Sequence, residues 1–442
     1  MASTQKRTEL SSEQTDALNN LKSGENIFLT GGAGSGKSFV IQAFLKATDP
    51  KSFPILASTG AAAVLLGGRT FHSFFGLGIM DGGADATFER CLRDSKLLQR
   101  IKKVEGFVID EISMIPGSVL MVAEALAQRA RDSELPWGGL QVIAVGDFAQ
   151  LPPVTRVTPS SSYELAPVGR DWAFKNHVWK QTHFQNIVLK TNQRVQDQEY
   201  IEILQQVRFG QVNQDVTDFL NGAIREHDED DSGTRLFPRR DQSEQYNFKK
   251  LKDIHEDEFV SDTIYIGQER AIESLKRSCP VNDQLKLKLG CHVLFLQNDT
   301  QKRWVNGTQG IVTSIDVHQI KVKKMDTQKA SRRKKNDIDE TPMHSREVTV
   351  DKTSFALQDA EGKIIAQAIQ FPLALGYATT IHKSQGATLD ELWCDLGSLW
   401  EPGQAYVAMS RLRSRQGLKI LRWNPRSIIV DRQVVEFYKR LD

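Results

Sequence analysis

Cysteine is scarce in this chain. Cys91, Cys279, Cys291 and Cys394 are the only ones in 442 residues, and no two form a C-x-x-C pair. That spacing makes a disulfide framework improbable at this length and speaks against a zinc site. No uninterrupted apolar run approaches membrane-spanning length, so no spanning helix is expected. The first residues, MASTQKRTELSSEQ, lack the apolar stretch of an export signal. Net charge is nearly absent as well: 57 Lys and Arg face 55 Asp and Glu, leaving +2. A nucleic-acid partner is therefore invisible in the total, and any such site must gather its cations into a groove. No repeat of solenoid length is present. What remains is the composition of a soluble, intracellular globular enzyme, 40% apolar and 25% charged. At roughly 100–200 residues per domain it holds two or three domains.

The first half alternates short apolar runs with amphipathic stretches. Strands are expected at Ile27-Phe28-Leu29, Pro54 to Ser58, Phe107-Val108-Ile109, Leu140 to Val145 and Ile187-Val188-Leu189. Runs that are apolar on both faces, separated by helical stretches, predict a parallel sheet covered by helices. The polar residues stand where these strands end, the place where open α/β sheets bind ligands. Glu226 to Gly233 reads as a solvated loop, and the strand-helix rhythm resumes at Leu236-Phe237. From 291 to 371 the texture changes to short alternating strands, CHVLFLQN, TQGIVTSID, QIKVKKMD, REVTVDK and IIAQAIQF, which predict a small all-β insertion. After it, α/β texture returns.

Gly31-Gly32-Ala33-Gly34-Ser35-Gly36-Lys37-Ser38 matches G-x-x-x-x-G-K-[ST] completely, after a strand and before a helix. Glycines let the backbone wrap phosphates closely, and the helix N-terminus adds partial positive charge. Lys37 is expected to reach the β- and γ-phosphates of ATP, and the Ser38 hydroxyl to ligate Mg²⁺. Asp110 and Glu111 end a buried strand. Asp110 is the second metal candidate, and Glu111 the group that orients and activates the attacking water. Two carboxylates at a strand end are otherwise a helix cap; the glycine loop favours the catalytic reading. Gln150, in GDFAQLPP after another core strand, has the length to contact a γ-phosphate or its water. Alone it would be an ordinary loop residue.

These residues resemble motifs I, II and III of superfamily-one helicases. LASTGAAAVLLGGRTFHSFFGLG, residues 56–78, resembles motif Ia and its sequel in helicases of the PIF (petite integration frequency) type. That family carries Pro-Phe-Gly-Gly-x-Gln between motifs II and III; here the residues are Pro136-Trp137-Gly138-Gly139-Leu140-Gln141. LKTNQRVQD resembles motif IV, TTIHKSQGATLD motif V and GQAYVAMSRLRS motif VI. In Arg194-Val195-Gln196 the chain departs from the family, which usually shows Arg followed directly by Gln. The resemblance runs from Leu10 to about Leu421.

It implies an α/β fold of two RecA-like P-loop NTPase domains with a small Src-homology-three-like barrel inserted in the second. The first domain would cover 1–190, with a duplex-splitting wedge near 74–103. The second would cover 191–290 and 372–442, around the insertion at 291–371. It further implies that Arg194 and Arg411 act as arginine fingers from the second domain. Gln14 would read adenine, and Gln385 and Gly386 would lie near the nucleotide. The phosphate cradle itself would comprise Gly32, Ala33, Gly34, Ser35, Gly36, Lys37 and Ser38. A guanidinium fork stabilises charge spread over phosphoryl oxygens in the transition state, which is worth roughly 10³–10⁵ in rate. For Gln14 the plainer alternative is a helix-start residue beside an N-cap at Ser11 or Ser12.

The DNA track is expected at Thr59, Gly60, Thr70, Phe71, His72 and Ser73 in the first domain and Thr380, His382 and Lys383 in the second. Hydroxyls, backbone N–H groups and apolar contacts there would hold a single strand without reading its sequence. His72 alone would ordinarily be a packed histidine. Lys321, Lys323, Lys324 and the run Arg332-Arg333-Lys334-Lys335 could add phosphate contacts, although charge runs are more often solvated loops.

The resulting expectation is a monomeric 5′-to-3′ DNA helicase acting on single-stranded, tailed or forked DNA, and also on G-quadruplexes and RNA-DNA hybrids, in genome maintenance. It would be cytoplasmic and nucleoid-associated in a bacterium, nuclear or mitochondrial in a eukaryote. Three other readings compete: a translocase or RecD-like subunit of a nuclease complex, a small-molecule kinase with the same phosphate loop, and a non-enzymatic DNA-binding module. No nuclease carboxylate-lysine cluster is apparent, kinases of that type need no motif V or VI, and a binding module would not need Lys37, Glu111 and Arg411 together.

Overall fold

The computed structural model describes residues 9–441 apart from 67, 79, 81, 154–169, 227–232, 326–346 and 359–362. The run Arg332-Arg333-Lys334-Lys335 and most of the loop at 226–233 lie outside the described residues. The chain divides into two compact units. The first is Met1–Arg194, Gln358–Ile364 and Asp431–Asp442; the second is Val195–Leu357 and Ile365–Val430.

The first unit is built on a six-stranded parallel sheet of β1 (Ile27–Gly31), β2 (Ile55–Ala57), β3 (Arg69–Thr70), β4 (Gly106–Asp110), β5 (Gln141–Val145) and β6 (Gln185–Leu189), in the order β3-β2-β4-β5-β1-β6. The expected strands all form. Only the two-residue β3 has no periodicity long enough to read. Strand β1 shows why a buried parallel strand is apolar on both faces. Ile27 and Leu29 pack with Val40, Ile41 and Phe44 of the helix Lys37–Lys46. Phe28 points the other way, its ring 5.1 Å from Trp179, 5.5 Å from Phe148 and 6.0 Å from Phe437. Register pairs Ile27 with Ile143 of β5 and with Gln185 of β6. The ends of β4, β5 and β1 therefore emerge side by side along one edge.

The second unit contains a parallel sheet of β7 (Thr234–Phe237), β18 (Ala378–Thr380), β19 (Leu392–Cys394) and β20 (Leu418–Ile420), in the order β18-β7-β19-β20. Between β7 and β18 lies the antiparallel insertion. It includes β8 (Phe259–Asp262), β9 (Ile264–Gly267), β10 (Gln284–Leu287), β11 (His292–Phe295), β12 (Gln309–Ile315), β13 (Gln319–Lys324), β14 (Glu347–Asp351), β15 (Thr353–Gln358), β16 (Ile364–Gln370) and β17 (Leu373–Leu375). Five of these form one sheet in the order β14-β13-β12-β11-β17. Its core joins Val293, Phe295, Val312, Ile320, Val322 and Val350.

The antiparallel part starts earlier than the 291 read from the sequence, because β8 pairs with β10 and β9 with β16. Two further differences concern the units. Residues 431–442 group with the first unit, where Phe437 stacks on Phe174 at 4.4 Å. Arg194 does too, for the reason given below.

Candidate nucleotide and nucleic-acid site

Strand β1 is buried throughout and ends at Gly31, whose φ is +147°. A β-carbon there would lie 2.9 Å from Ser35 Oγ. Gly34 (φ +83°) and Gly36 (φ +89°) hold left-handed conformations that favour glycine. Gly36 opens the helix Lys37–Lys46 without any side-chain cap, so the loop faces first-turn N–H groups of the kind that bind anions. The Lys37 ammonium donates to Gly31 O (2.8 Å) and Gly32 O (3.1 Å), across its own loop. Ser35 Oγ is buried and has no hydrogen-bond partner. An uncapped helix start, an orphaned hydroxyl and a lysine over the loop together fit a phosphate chain. Ser38 follows on the exposed side of the same helix.

At the end of β4 the Asp110 carboxylate accepts from Glu111 N (3.1 Å). Burial raises its pKa, and the Glu111 N–H and the Lys37 charge oppose that rise. Glu111 stands at φ +54°, ψ +51°, a left-handed conformation in a residue with a β-carbon, which costs of order 1–3 kcal/mol. Such strain persists only where the surroundings enforce it.

Between Asp110 and the phosphate loop emerges the end of β5. Gly146 there has φ +157°, and a β-carbon would lie 3.0 Å from Ile112 N. Asp147 is fully buried, its Oδ1 accepting from Ala149 N (3.1 Å), while Gln150 is buried and donates its N–H to Asp147 O (2.9 Å).

Gln14 is a helix-start residue whose side chain also reaches the phosphate loop. Its N–H donates to Ser11 Oγ (3.3 Å) and its Oε1 accepts from Ser11 N (3.1 Å), a reciprocal cap on the helix Ser12–Leu21. Its Nε2 meanwhile lies against Gly36, where it would collide with any β-carbon.

Residues that sequence reasoning did not single out complete the cradle. Asn192 Nδ2 donates to Ala33 O (3.1 Å), Asn192 Oδ1 accepts from Arg194 N (2.9 Å), and Gln193 N donates to Gly34 O (2.7 Å). A β-carbon on Gly34 would lie 2.7 Å from Arg194 Cβ. These bonds tie Arg194 to the phosphate loop of its own unit and correct its expected assignment to the second. Tyr438, near the end of the chain, is the other omission. Its hydroxyl lies 2.9 Å from Thr30 Oγ1, accepts from Phe148 N (2.9 Å) and donates to Asp147 Oδ1 (3.0 Å). No local pattern marks a tyrosine in a seven-residue helix as a partner of β1.

Of the expected DNA contacts on the first unit, Thr59 Oγ1 accepts from Ala62 N (3.2 Å) and Thr70 Oγ1 from Ser73 N (3.1 Å). Each hydroxyl caps a short helix and keeps its own proton to donate. Gly60 starts the helix Gly60–Leu66, and Ser73 is exposed. Phe71 does not fit the expected role. It is wholly buried, its ring 4.8 Å from Phe75 and 6.4 Å from Phe107, so it is a core residue with no face for a base. His72 beside it is half-buried, and burial lowers its pKa. The segment expected as a wedge contains the helices Gly83–Leu92 and Ser95–Lys103.

On the second unit, Thr380 Oγ1 accepts from Lys383 N (3.1 Å) in the turn after β18. His382 Nε2 faces Glu401 Oε2 at 3.7 Å; burial lowers its pKa and the carboxylate opposes this. Loss of hydration also lowers the pKa of Lys383, with Arg240 adding to it. Gln385 N donates to His382 O (3.2 Å), and Gly386 follows at φ +78°. Arg411 is 1% exposed. Its Nε donates to Val407 O (2.8 Å), Nη2 to Ser410 Oγ (2.9 Å) and Nη1 to Ser384 O (3.4 Å).

A glycine-rich phosphate cradle at the edge of a parallel sheet, with a carboxylate pair two strands away, defines a P-loop nucleoside-triphosphatase. Residues 9–226 match the model of the PIF1-like helicase family, and residues 271–315 match that of the DNA helicase Pif1 2B domain. The chain is 60% identical over 434 residues to the ATP-dependent DNA helicase Pif1 of Bdellovibrio bacteriovorus, covering 98% of this chain and 92% of that one. It is 34% identical to the ATP-dependent DNA helicase PIF1 of Danio rerio, covering 98% of this chain and 64% of that longer one. Among solved structures, Bacteroides Pif1 in complex with ADP-AlF4 superposes with a TM-score of 0.80 at 27% identity, covering 98% and 97% of the two chains. Bacteroides Pif1 with ADP-AlF3 and single-stranded DNA does so at 0.62 and 28%, with the same coverage. The chain belongs to the PIF1-like helicase family, and it is an ATP-dependent helicase.

Proposed function

We propose that this helicase acts on DNA, moving 5′-to-3′ along a single strand at the expense of ATP and parting the duplex ahead of it. The observation that carries the reading is the cradle at the end of β1. There an uncapped helix start, the orphaned Ser35 hydroxyl and Lys37 meet the Asp110-Glu111 pair. The DNA-bound Bacteroides relative supports the choice of polymer.

Residues Gly32 to Ser38 hold the phosphates, and Gln14 Nε2 stands beside them on the adenine side. Ser38 and Asp110 would hold a magnesium ion, which neutralises phosphate charge when bound. Glu111 orients the attacking water and takes its proton. Gln150 senses the γ-phosphate. Arg194, in the unit that holds the loop, and Arg411, in the other, supply guanidinium charge to the transition state. Thr59, Gly60, Thr70, His72, Ser73, Thr380, His382 and Lys383 contact the strand. G-quadruplexes and RNA-DNA hybrids belong to the proposed substrate range, genome maintenance is the proposed setting, and the helices within 74–103 are the proposed wedge.

Strand displacement on duplexes with a 5′ or a 3′ tail tests this. The wild type should unwind the 5′-tailed substrate and leave the other intact. Lys37→Ala should abolish unwinding. Glu111→Gln should bind ATP but turn it over roughly 10²–10⁴-fold more slowly. Unwinding of the 3′-tailed duplex would overturn the polarity, and ATP hydrolysis stimulated by single strands without displacement would leave a translocase. Near-normal hydrolysis by Lys37→Ala would remove the nucleotide assignment.

A further inference from the structure

Strands β18, β7 and β19 lie side by side and run parallel, so the loops after their carboxyl ends leave one edge of the second unit together. The β18 loop carries His382 and Lys383, and the β7 loop carries Arg239 and Arg240. The β19 loop carries Trp400 and Glu401. Parallel α/β sheets bind their ligands at this edge.

Trp400 is the most exposed tryptophan among the described residues, at 50%. An indole left half in water is unusual for so large an apolar ring, and it is held there deliberately. Leu399 beside it is buried, and the wholly buried Gln404 accepts from both Trp400 N and Glu401 N at 3.3 Å through its Oε1. The backbone is thus pinned from beneath while the ring stays at the surface. The Arg239 guanidinium carbon lies 5.1 Å from the ring centroid. Arg239 also precedes the helix Arg240–Lys252, which opens without a side-chain cap. Nearby charges are partly engaged: Arg240 Nε pairs with Glu244 Oε1 at 2.6 Å, and Glu401 faces His382.

We propose that Trp400, backed by Arg239, is a stacking platform for one base of the bound single strand, beside backbone contacts made by the turn Thr380–Lys383. This rests on the DNA-binding reading above and adds a contact to the base where that reading has contacts to phosphate. An exposed aromatic face with a guanidinium against it is what a base of any sequence stacks on, and the flanking cations suit the strand's phosphates.

The test compares oligo-dT with an abasic strand of equal length, which keeps sugar and phosphate and lacks bases. Binding is followed by fluorescence anisotropy for the wild type, Trp400→Ala and Trp400→Phe. The wild type should prefer oligo-dT. Trp400→Ala should weaken oligo-dT by roughly 5- to 150-fold and leave the abasic affinity unchanged, with Trp400→Phe restoring part of the loss. Tryptophan fluorescence should fall when oligo-dT is added to the wild type, and fall less in Trp400→Phe. Equal weakening of both strands, no weakening of either, or a wild type indifferent to bases would overturn the platform. A wild type that binds neither strand would overturn the DNA reading along with it.

Discussion

At position 137 the chain has tryptophan where the family it resembles has phenylalanine. The larger ring brings an N–H into the core, and the fold finds it a partner. Trp137 is 1% exposed, its ring centroid 5.4 Å from Phe107, and its Nε1 donates to Thr182 Oγ1 at 2.8 Å. Thr182 passes its own proton to Val178 O at 2.7 Å. Trp137→Phe therefore removes one buried hydrogen bond and some volume, for an expected loss of about 1–3 kcal/mol. Gly138 beside it is more demanding. It stands at φ +63°, and a β-carbon would lie 2.6 Å from Ala127 O, a backbone atom that cannot swing aside. Gly138→Ala combines a left-handed penalty of roughly 1–2 kcal/mol with that collision, so it should destabilise more than Trp137→Phe. Denaturant unfolding followed by tryptophan fluorescence ranks the two. A Gly138→Ala protein as stable as the wild type would refute the need for glycine there. The Pro136–Gln141 signature thus does a structural task in this chain, holding the aromatic layer under β4.

At the scale of elements, the last helix is the instructive one. Arg432–Tyr438 comes from the far end of the chain and closes over the first unit, where Trp172 Nε1 also donates to Asp431 Oδ2 at 2.9 Å. The Tyr438 hydroxyl has one proton, which goes to Asp147, so it accepts from Phe148 N and Thr30 Oγ1. Thr30 directly precedes the phosphate loop, and Asp147 begins the turn that carries Gln150. Tyr438→Phe leaves these buried groups short of a partner, at about 1–3 kcal/mol for each one left unsatisfied. ATP hydrolysis should slow several-fold in kcat while KM for ATP changes little, because the glycines and Lys37 stay in place. A wild-type kcat, or a loss confined to KM, would reject the positioning role.

Such contacts explain what the sequence could not reveal. Strands β1, β4 and β5 were readable because burial on both faces writes itself as continuous apolar residues. The phosphate loop was readable because its chemistry is contiguous. Tyr438 and Asn192 act through contacts far along the chain. Phe71 sits in a motif expected from resemblance to contact DNA, and only packing shows its ring turned into the core. The start of the β insertion is harder to read because β8 to β10 are four-residue strands, too short for a clear alternation, and β9 finds its partner β16 far along the chain.

For the whole molecule, the decisive fact is that the phosphate loop and Arg411 belong to different units, joined where the chain passes Arg194–Val195, Leu357–Gln358, Ile364–Ile365 and Val430–Asp431. On the proposed reading, whatever Arg411 contributes to hydrolysis comes from the unit that also carries Thr380, His382 and Lys383, so bound DNA would have a route to the rate. Arg411 also has local work, tying the helix Gln404–Met409 to the turn at Ser384 through Val407 O and Ser384 O. The two roles separate in single-turnover hydrolysis at saturating ATP and single-stranded DNA, with DNA affinity measured alongside as the control for folding. Arg411→Ala should lose roughly 10³-fold or more in rate while its DNA affinity stays within a few-fold of the wild type. Arg411→Lys should recover little, since an ammonium keeps the charge but lacks the planar fork. If Arg411→Ala hydrolyses at wild-type speed with DNA bound, the guanidinium is a brace within the second unit and nothing more. The transition-state charge would then fall to Arg194, whose Cβ lies 2.7 Å from where a β-carbon on Gly34 would stand and which belongs to the unit that holds the phosphate loop.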